Sequence, residues 1–183
     1  MGFENVEGYE VSKTQVDFAN KQLNRKCCKV YNSENTLDLI SNIDSDVISL
    51  IGVLEHLTNP YLFLNAIKNN KKIKYLFISV PLLSLCVIFQ AYFSGIYERH
   101  LGAAHTHLFT QDSINWFCEH FGFKIVSEWW FGTDFTDLER QSYIKLNNNT
   151  ALCNKYLSPY IDELQNILDK NKVCSEVHML IKT

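Results

Sequence analysis

The sequence predicts an α/β protein, a largely parallel sheet with helices packed on both faces, and two observations carry that prediction. Short, continuously apolar runs recur, Asp46-Val-Ile-Ser-Leu-Ile51 and Tyr75-Leu-Phe-Ile-Ser-Val80, too short for helices and without the alternation of a strand that has one wet face. Around and between them lie amphipathic segments with capping residues, so strand and helix alternate along the chain. At 183 residues and 46% hydrophobic content the chain has the size and apolar content of one globular domain, and residues 1–183 are read as a single domain.

Val6 to Glu10 reads as a short first strand, and Ser12 caps a helix in which Val16, Ala19 and Leu23 recur on one face. Cys27 to Tyr31 is a second strand. A helical turn around Thr36 to Ile40 leads to the buried strand from Asp46, which Gly52 bounds. Pro60, following Asn59, sits in a first helical turn, where its missing N–H has no partner to lose, and Leu64 and Ile67 face inward. Asn69-Asn70-Lys71-Lys72 ends that helix, and Tyr75 to Val80 is the next strand. Thr110 and Ser113 open a helix with the stripe Ile114, Phe117, Cys118 and Phe121, and Gly122 closes it. Phe123 to Phe131 is a strand in which one of Trp129 and Trp130 packs in the core while the other lies under a surface helix. Asn147-Asn148-Asn149 reads as a loop, Tyr156 to Asp169 as a helix carrying Ile161, Leu164 and Leu168, and Val177 to Ile181 as a terminal strand.

Composition narrows the function. Lys and Arg total 17 against 20 Asp and Glu, a net charge of −3 that gives no broad surface for a polyanion, so nucleic acid is not an expected partner. Six cysteines without a C-x-x-C pair, and no secretory signal, suit free thiols in a reducing cytoplasm. Cys27 and Cys28, adjacent in a strand, point to opposite faces and do not share a disulfide or a metal. Tyr75 to Phe93 approaches the length of a bilayer span, but Pro81 divides it into a strand and a short buried helix or lid, and no membrane span is expected. Residues 82–110 are therefore read as a lid or substrate-side insertion.

Parallel sheets bind ligands beyond the carboxyl ends of their strands, which directs attention to Tyr9 to Ser12, Tyr31 to Glu34, Ile51 to His56 and Val80 to Leu82. Glu10 ends a strand before a capped helix, a place for a carboxylate that accepts hydrogen bonds from ribose hydroxyls, or simply for a solvated acid. The segment Asp46-Val-Ile-Ser-Leu-Ile-Gly-Val-Leu-Glu-His-Leu-Thr-Asn-Pro60 resembles the fourth strand and following loop of class I S-adenosylmethionine-dependent methyltransferases. The resemblance extends in order both ways, through Gly8-Tyr-Glu-Val-Ser12 and Ser33-Glu34 upstream, and through Ser79-Val80-Pro81, His107-Leu-Phe-Thr110, Gly122-Phe123 and Glu176-Val-His-Met-Leu180 downstream. It covers nearly the whole chain and is nearest to bacterial small-molecule and cell-surface methyltransferases.

That resemblance implies a Rossmann-like methyltransferase sheet, S-adenosylmethionine as cofactor, and a small-molecule or glycan-like acceptor. It implies that Glu10 and its neighbour Val11 meet the ribose, that Ser33 and Glu34 approach the adenine, that Ile51 and Gly52 border the methionine portion, and that Glu55 lies at the reaction centre. His56 follows there, either as the base that takes the acceptor's proton or as an imidazole that bonds backbone and fixes the loop. His105 and His107 form an H-x-H pair with His100 nearby, which in principle suits zinc; with no second cluster of Cys or Asp to complete it, no metal is expected, and these histidines are read as shaping the acceptor pocket or simply stabilising the loop.

The chain departs from the family at one point. Its seven glycines include no G-x-G, so the first strand and the glycine-rich loop that lets backbone approach the cofactor are not found. The expectation is a domain incomplete at its N-terminus, in which the second strand closes against the fourth or the gap is filled by a missing N-terminal segment or another chain such as a second copy, or a non-catalytic remnant that needs a partner chain to complete its sheet. A nicotinamide-dependent oxidoreductase is disfavoured, because its fingerprint also needs glycines and gives Leu54-Glu55-His56 no part.

Overall fold

The structure, a computed structural model, describes residues 5–93, 100–102, 105–146 and 150–183. The chain divides into two compact units, residues 1–43 and 44–183, each taken by itself. The Asn147-Asn148-Asn149 loop lies outside the described residues, as does part of the expected lid.

In the first unit, strand β1 (Gly8–Glu10) is followed by helix α1 (Lys13–Gln22), strand β2 (Cys28–Val30) and helix α2 (Thr36–Asn42). β1 and β2 pair in parallel, with Glu10 opposite Val30. The Ser12 hydroxyl accepts from Gln15 N at 3.4 Å, the cap that the sequence announces. Asn20 ties α1 to β2, its Oδ1 accepting from Cys27 N and Cys28 N and its Nδ2 donating to Cys28 O, each at 2.9 Å. Val16 is buried, whereas Phe18 and Leu23 are exposed, so the helix stripe is narrower than its apolar residues suggest.

The second unit holds strand β3 (Val47–Ile51), helix α3 (Pro60–Asn69), strand β4 (Tyr75–Pro81), helices α4 (Leu85–Tyr92) and α5 (Gln111–Phe121), strand β5 (Lys124–Phe131), helices α6 (Asp134–Lys145), α7 (Ala151–Tyr156) and α8 (Ile161–Lys170), and strand β6 (Glu176–Lys182). The sheet order is β3-β4-β6-β5. β3 and β4 are parallel, and β6 runs antiparallel to both its neighbours β4 and β5, so β3, β4 and β5 point the same way and β6 is the reversed strand of this sheet. The apolar pattern of a strand records burial, not direction.

Ile48 and Leu50 of β3, Leu76, Ile78 and Val80 of β4, and Val177, Met179 and Ile181 of β6 are buried. Phe63, Leu64 and Ile67 of α3 and Ile114, Phe117, Cys118 and Phe121 of α5 join this core, and each such side chain contributes about 1.5–3 kcal/mol by leaving water. α5 is framed by signals readable in the sequence. Thr110 and Ser113 form a reciprocal capping box, and Gly122 ends the helix at φ 68°, a left-handed conformation in which a Cβ is costly.

The apolar stretch from Tyr75 resolves into β4 and α4, and no helix among the described residues is long and apolar enough to cross a membrane. The late helix expected over Tyr156 to Asp169 is broken: α7 ends at Tyr156, a short 3-10 turn spans Ser158–Tyr160, and α8 follows, because Pro159 cannot donate into a continuous helix. Trp130 is the buried member of the pair, but Trp129 does not lie beneath a helix. It is 61% exposed, stacking on Phe131 at 4.5 Å and meeting His178 edge-on at 5.5 Å between ring centroids.

All six cysteines are free thiols. Burial pushes Cys118 up to about 11 and Cys174 up to about 12, the latter helped by the negative charge of Asp169. A thiol this far from its thiolate does not alkylate at about pH 8. Iodoacetamide is therefore expected to leave Cys118 and Cys174 unmodified in the folded protein and to label both after denaturation, read by peptide mass spectrometry; labelling of either in the folded chain contradicts their burial.

Candidate functional site

In residues 1–43, Glu10 stands at the carboxyl end of β1. Its Oε1 accepts from Ser12 N at 2.9 Å, and its backbone carbonyl accepts from Tyr31 N at 3.2 Å, which fastens the ends of β1 and β2 together. Val11 is 54% exposed. Ser33 and Glu34 follow β2 in an exposed 3-10 turn, Ser33–Asn35, with Glu34 N donating to Asn32 Oδ1 at 3.1 Å. Glu10, Ser33 and Glu34 thus all stand just past the carboxyl ends of two parallel, hydrogen-bonded strands. A cleft of about 620 Å³, predominantly apolar, opens beside Glu10 between β1 and α1, lined by Tyr9, Gln15, Val16, Phe18 and Cys28 among others.

In residues 44–183, the corresponding rim is built at the end of β3. Ile51 is exposed, and Gly52 N donates to Ser79 O of β4 at 3.1 Å. Gly52 turns the chain at φ 63°, and among the described residues a Cβ there would meet only Glu55 Oε1, at 3.7 Å, so the turn needs glycine for its conformation and not for want of space. The chain then enters a short 3-10 turn, Leu54–His56, whose Leu54 is fully buried and anchors it.

Glu55 is 3% exposed, an unusual burial for a carboxylate, and its Oε2 has no hydrogen-bond partner among the described residues. Its Oε1 lies 3.9 Å from His56 Nε2. The His56 ring is half exposed and meets the His105 ring edge-on, centroids 4.8 Å apart. His105 Nδ1 is 3.1 Å from the His100 carbonyl oxygen, which can only accept. Nδ1 therefore carries the proton, and in the neutral ring Nε2 is left with its lone pair.

What brings His105 here is backbone. Thr106 N and His107 N donate to the Glu55 carbonyl at 2.9 and 3.2 Å, and the Thr106 hydroxyl lies 2.9 Å from that carbonyl and 3.0 Å from the Leu57 carbonyl. With its proton so directed, this hydroxyl accepts from His107 Nδ1 at 2.8 Å. Phe109 then pairs with the end of β4, its N donating to Pro81 O at 3.3 Å and its carbonyl accepting from Leu83 N at 2.8 Å.

Six of the residues singled out from sequence, Ile51, Gly52, Glu55, His56, His105 and His107, therefore share one rim at the carboxyl end of β3 and β4. Glu10, Val11, Ser33 and Glu34 share another at the end of β1 and β2. Thr106, which staples the histidine loop to the Glu55 turn, is the functional residue that the sequence reading missed; a lone threonine about 50 residues from its partners carries no local signal.

A family model described as a methyltransferase domain matches residues 1–128. No curated protein sequence matches the chain. Among solved structures, the fold is similar to the methyltransferase domain of bacterial CtHen1, with a TM-score of 0.57 and 15% identity over 99% of this chain and 79% of that one. It is similar to a SAM-dependent methyltransferase from Archaeoglobus fulgidus, with a TM-score of 0.54 and 15% identity over 96% of this chain and 75% of that one. It is also similar to the magnesium protoporphyrin IX methyltransferase ChlM from Synechocystis PCC 6803 with bound SAH, with a TM-score of 0.55 and 11% identity over 97% of this chain and 63% of that one.

Proposed function

This chain belongs to the methyltransferase-domain family, with S-adenosylmethionine as its cofactor, and from that premise we propose that it methylates a hydroxyl or amine of a small-molecule or glycan-like acceptor bound beside His56. The observation that carries the reading is the rim after β3, where a left-handed glycine, a buried carboxylate and a half-exposed imidazole follow one another within five residues, Gly52 to His56.

Each rim, taken by itself, offers groups suited to one portion of the cofactor. Glu10 has one carboxylate oxygen held by Ser12 N and the other turned to no partner among the described residues, suited to ribose hydroxyls. Val11 flanks it, and Ser33 and Glu34 stand exposed for the adenine. The turn at Gly52, with Ile51 exposed before it, suits the methionine portion, and Glu55 supports the turn. S-adenosylmethionine, when bound, supplies a methyl group activated on a sulfonium.

The protein's own part is to place the acceptor and receive its proton. His56 is half exposed at the rim, and a neutral imidazole can accept the proton of an incoming hydroxyl. His105 and His107, fixed through Thr106, wall the acceptor side. The segments Ile51 to Leu57 and His105 to Thr110 contain no Lys or Arg, so nothing there would grip a phosphate backbone, which supports a neutral, hydroxyl-bearing acceptor over nucleic acid.

The test is transfer of isotopically labelled methyl from the cofactor to pools of hydroxylated small molecules and glycans. His56→Gln is expected to lower the transfer rate about a hundredfold or more while leaving cofactor affinity unchanged. Undiminished transfer by this variant removes His56 from the chemistry.

A further inference from the structure

We infer that Glu55, His56 and His105 form a binding site for a divalent transition-metal ion of the zinc, cobalt or iron(II) class. The inference uses the proposed function only to place the site on the acceptor side of the rim; the three residues alone carry the argument.

One ligand atom from each of the three side chains lies within 4.8 Å of the others. An ion held about 2.1 Å from each ligand needs these atoms about 3 to 4 Å apart, so the ligands close on the ion by a shift of about 1 Å. The second observation is independent of proximity. Glu55 Oε2 is buried without a hydrogen-bond partner among the described residues, and a bare carboxylate oxygen in such a place costs free energy that a cation offsets.

The third concerns preparation of the ligands. His105 donates Nδ1–H to the His100 carbonyl, the outer contact that fixes the ring and leaves Nε2 free to coordinate. Thr106, bonded to the carbonyls of both Glu55 and Leu57, holds the segment carrying His105 against the turn carrying the other two ligands.

Two imidazoles and one carboxylate, with further positions open, select a first-row divalent ion over Mg²⁺ or Ca²⁺, which favour all-oxygen sets. The open positions take water or an acceptor oxygen. With an ion bound, His56 would give its lone pair to the cation, so its proposed role as base belongs to the metal-free protein, and the metal titration distinguishes the two states. Of the H-x-H pair His105 is the ligand, with a carboxylate and an imidazole about 50 residues upstream, while His107 Nδ1 lies 2.8 Å from the Thr106 hydroxyl.

The test is titration of the chelator-stripped full chain with Co²⁺, followed by visible absorption and by calorimetry, without cofactor or acceptor. One equivalent is expected to bind with visible d–d bands and without the intense near-ultraviolet thiolate band of a cysteine site. Glu55→Gln and His105→Ala are each expected to weaken binding about ten- to a hundredfold, with thermal melts by circular dichroism establishing that they fold. If Glu55→Gln fails to fold, His105→Ala, which alters a half-buried loop residue, decides. Absence of binding, a thiolate band, or affinity unchanged by His105→Ala overturns the inference. The methyltransferase reading stands or falls separately, on S-adenosylmethionine binding.

Discussion

Gly132→Ala is expected to lower the melting temperature of this protein by about 6–12 °C. The reason is space, not backbone conformation. A Cβ at position 132 would lie 2.6 Å from Asp134 Oδ2, 2.7 Å from Ser175 Oγ and 2.8 Å from Gln165 Nε2, so at least one of these atoms has to move. None moves freely, since Asp134 and Ser175 are fully buried and Gln165 nearly so.

Asp134 accepts from Cys86 N at 3.0 Å and from Gln165 Nε2 at 3.3 Å, which joins α6 to the start of α4 and to α8. Ser175 Oγ accepts from Thr133 N at 3.1 Å, and Gln165 Oε1 accepts from Phe135 N at 3.2 Å. The Ser175 carbonyl accepts from Leu82 N at 2.8 Å, fastening the end of β4 to the start of β6. Each buried polar group left without its partner costs about 1–3 kcal/mol, so displacing two costs about 3 kcal/mol, and a chain of this length loses about 2–4 °C for each. Circular dichroism melts of the two proteins measure it. A shift under about 2 °C means that the knot is loose enough to accept a methyl group.

The second large effect falls on cofactor affinity. Glu10→Ala is expected to weaken S-adenosylmethionine binding about ten- to a hundredfold, the loss that follows when about 1.5–3 kcal/mol of charge-assisted hydrogen bonding to ribose hydroxyls is removed. Two contacts separate this role from a structural one. The carboxylate bonds Ser12 N, the residue before α1, and removing it frees that amide, but the β1–β2 pairing runs through the Glu10 backbone carbonyl, which alanine keeps. Melting is therefore expected to change by less than affinity does. Calorimetric titration of both proteins is the measurement, and equal affinities remove Glu10 from the ribose site.

Much of the fold was legible because its signals are local. Ser12, the Thr110 and Ser113 pair, Gly122 and Pro60 each act on backbone groups within a few residues, and the structure uses each of them at a helix end. Leu64 and Ile67 were readable as core because a helix repeats its buried face. α6 was not readable. Among its residues only Asp134 is buried, so it has no apolar stripe and is held by the polar knot around Asp134 and Gln165, whose members come from distant parts of the chain. The exposure of Trp129 was missed for a similar reason, since it depends on which neighbours cover that face of β5 and not on its own strand.

The candidate site divides along the same line. Glu10, Gly52, Glu55 and His56 follow strands whose carboxyl ends can be located from sequence, so the rims were readable. That His105 meets the Glu55 turn was not, because the contact is made by backbone bonds from Thr106 and His107 across about 50 residues. The unpartnered oxygen of Glu55 has no trace in sequence at all.

The methyl-transfer reading rests on this chain binding S-adenosylmethionine. Calorimetric titration of the intact chain with that cofactor tests it most directly. The account predicts saturable binding of one cofactor per chain, weakened by Glu10→Ala; a folded protein that shows no saturable binding up to about millimolar cofactor contradicts it.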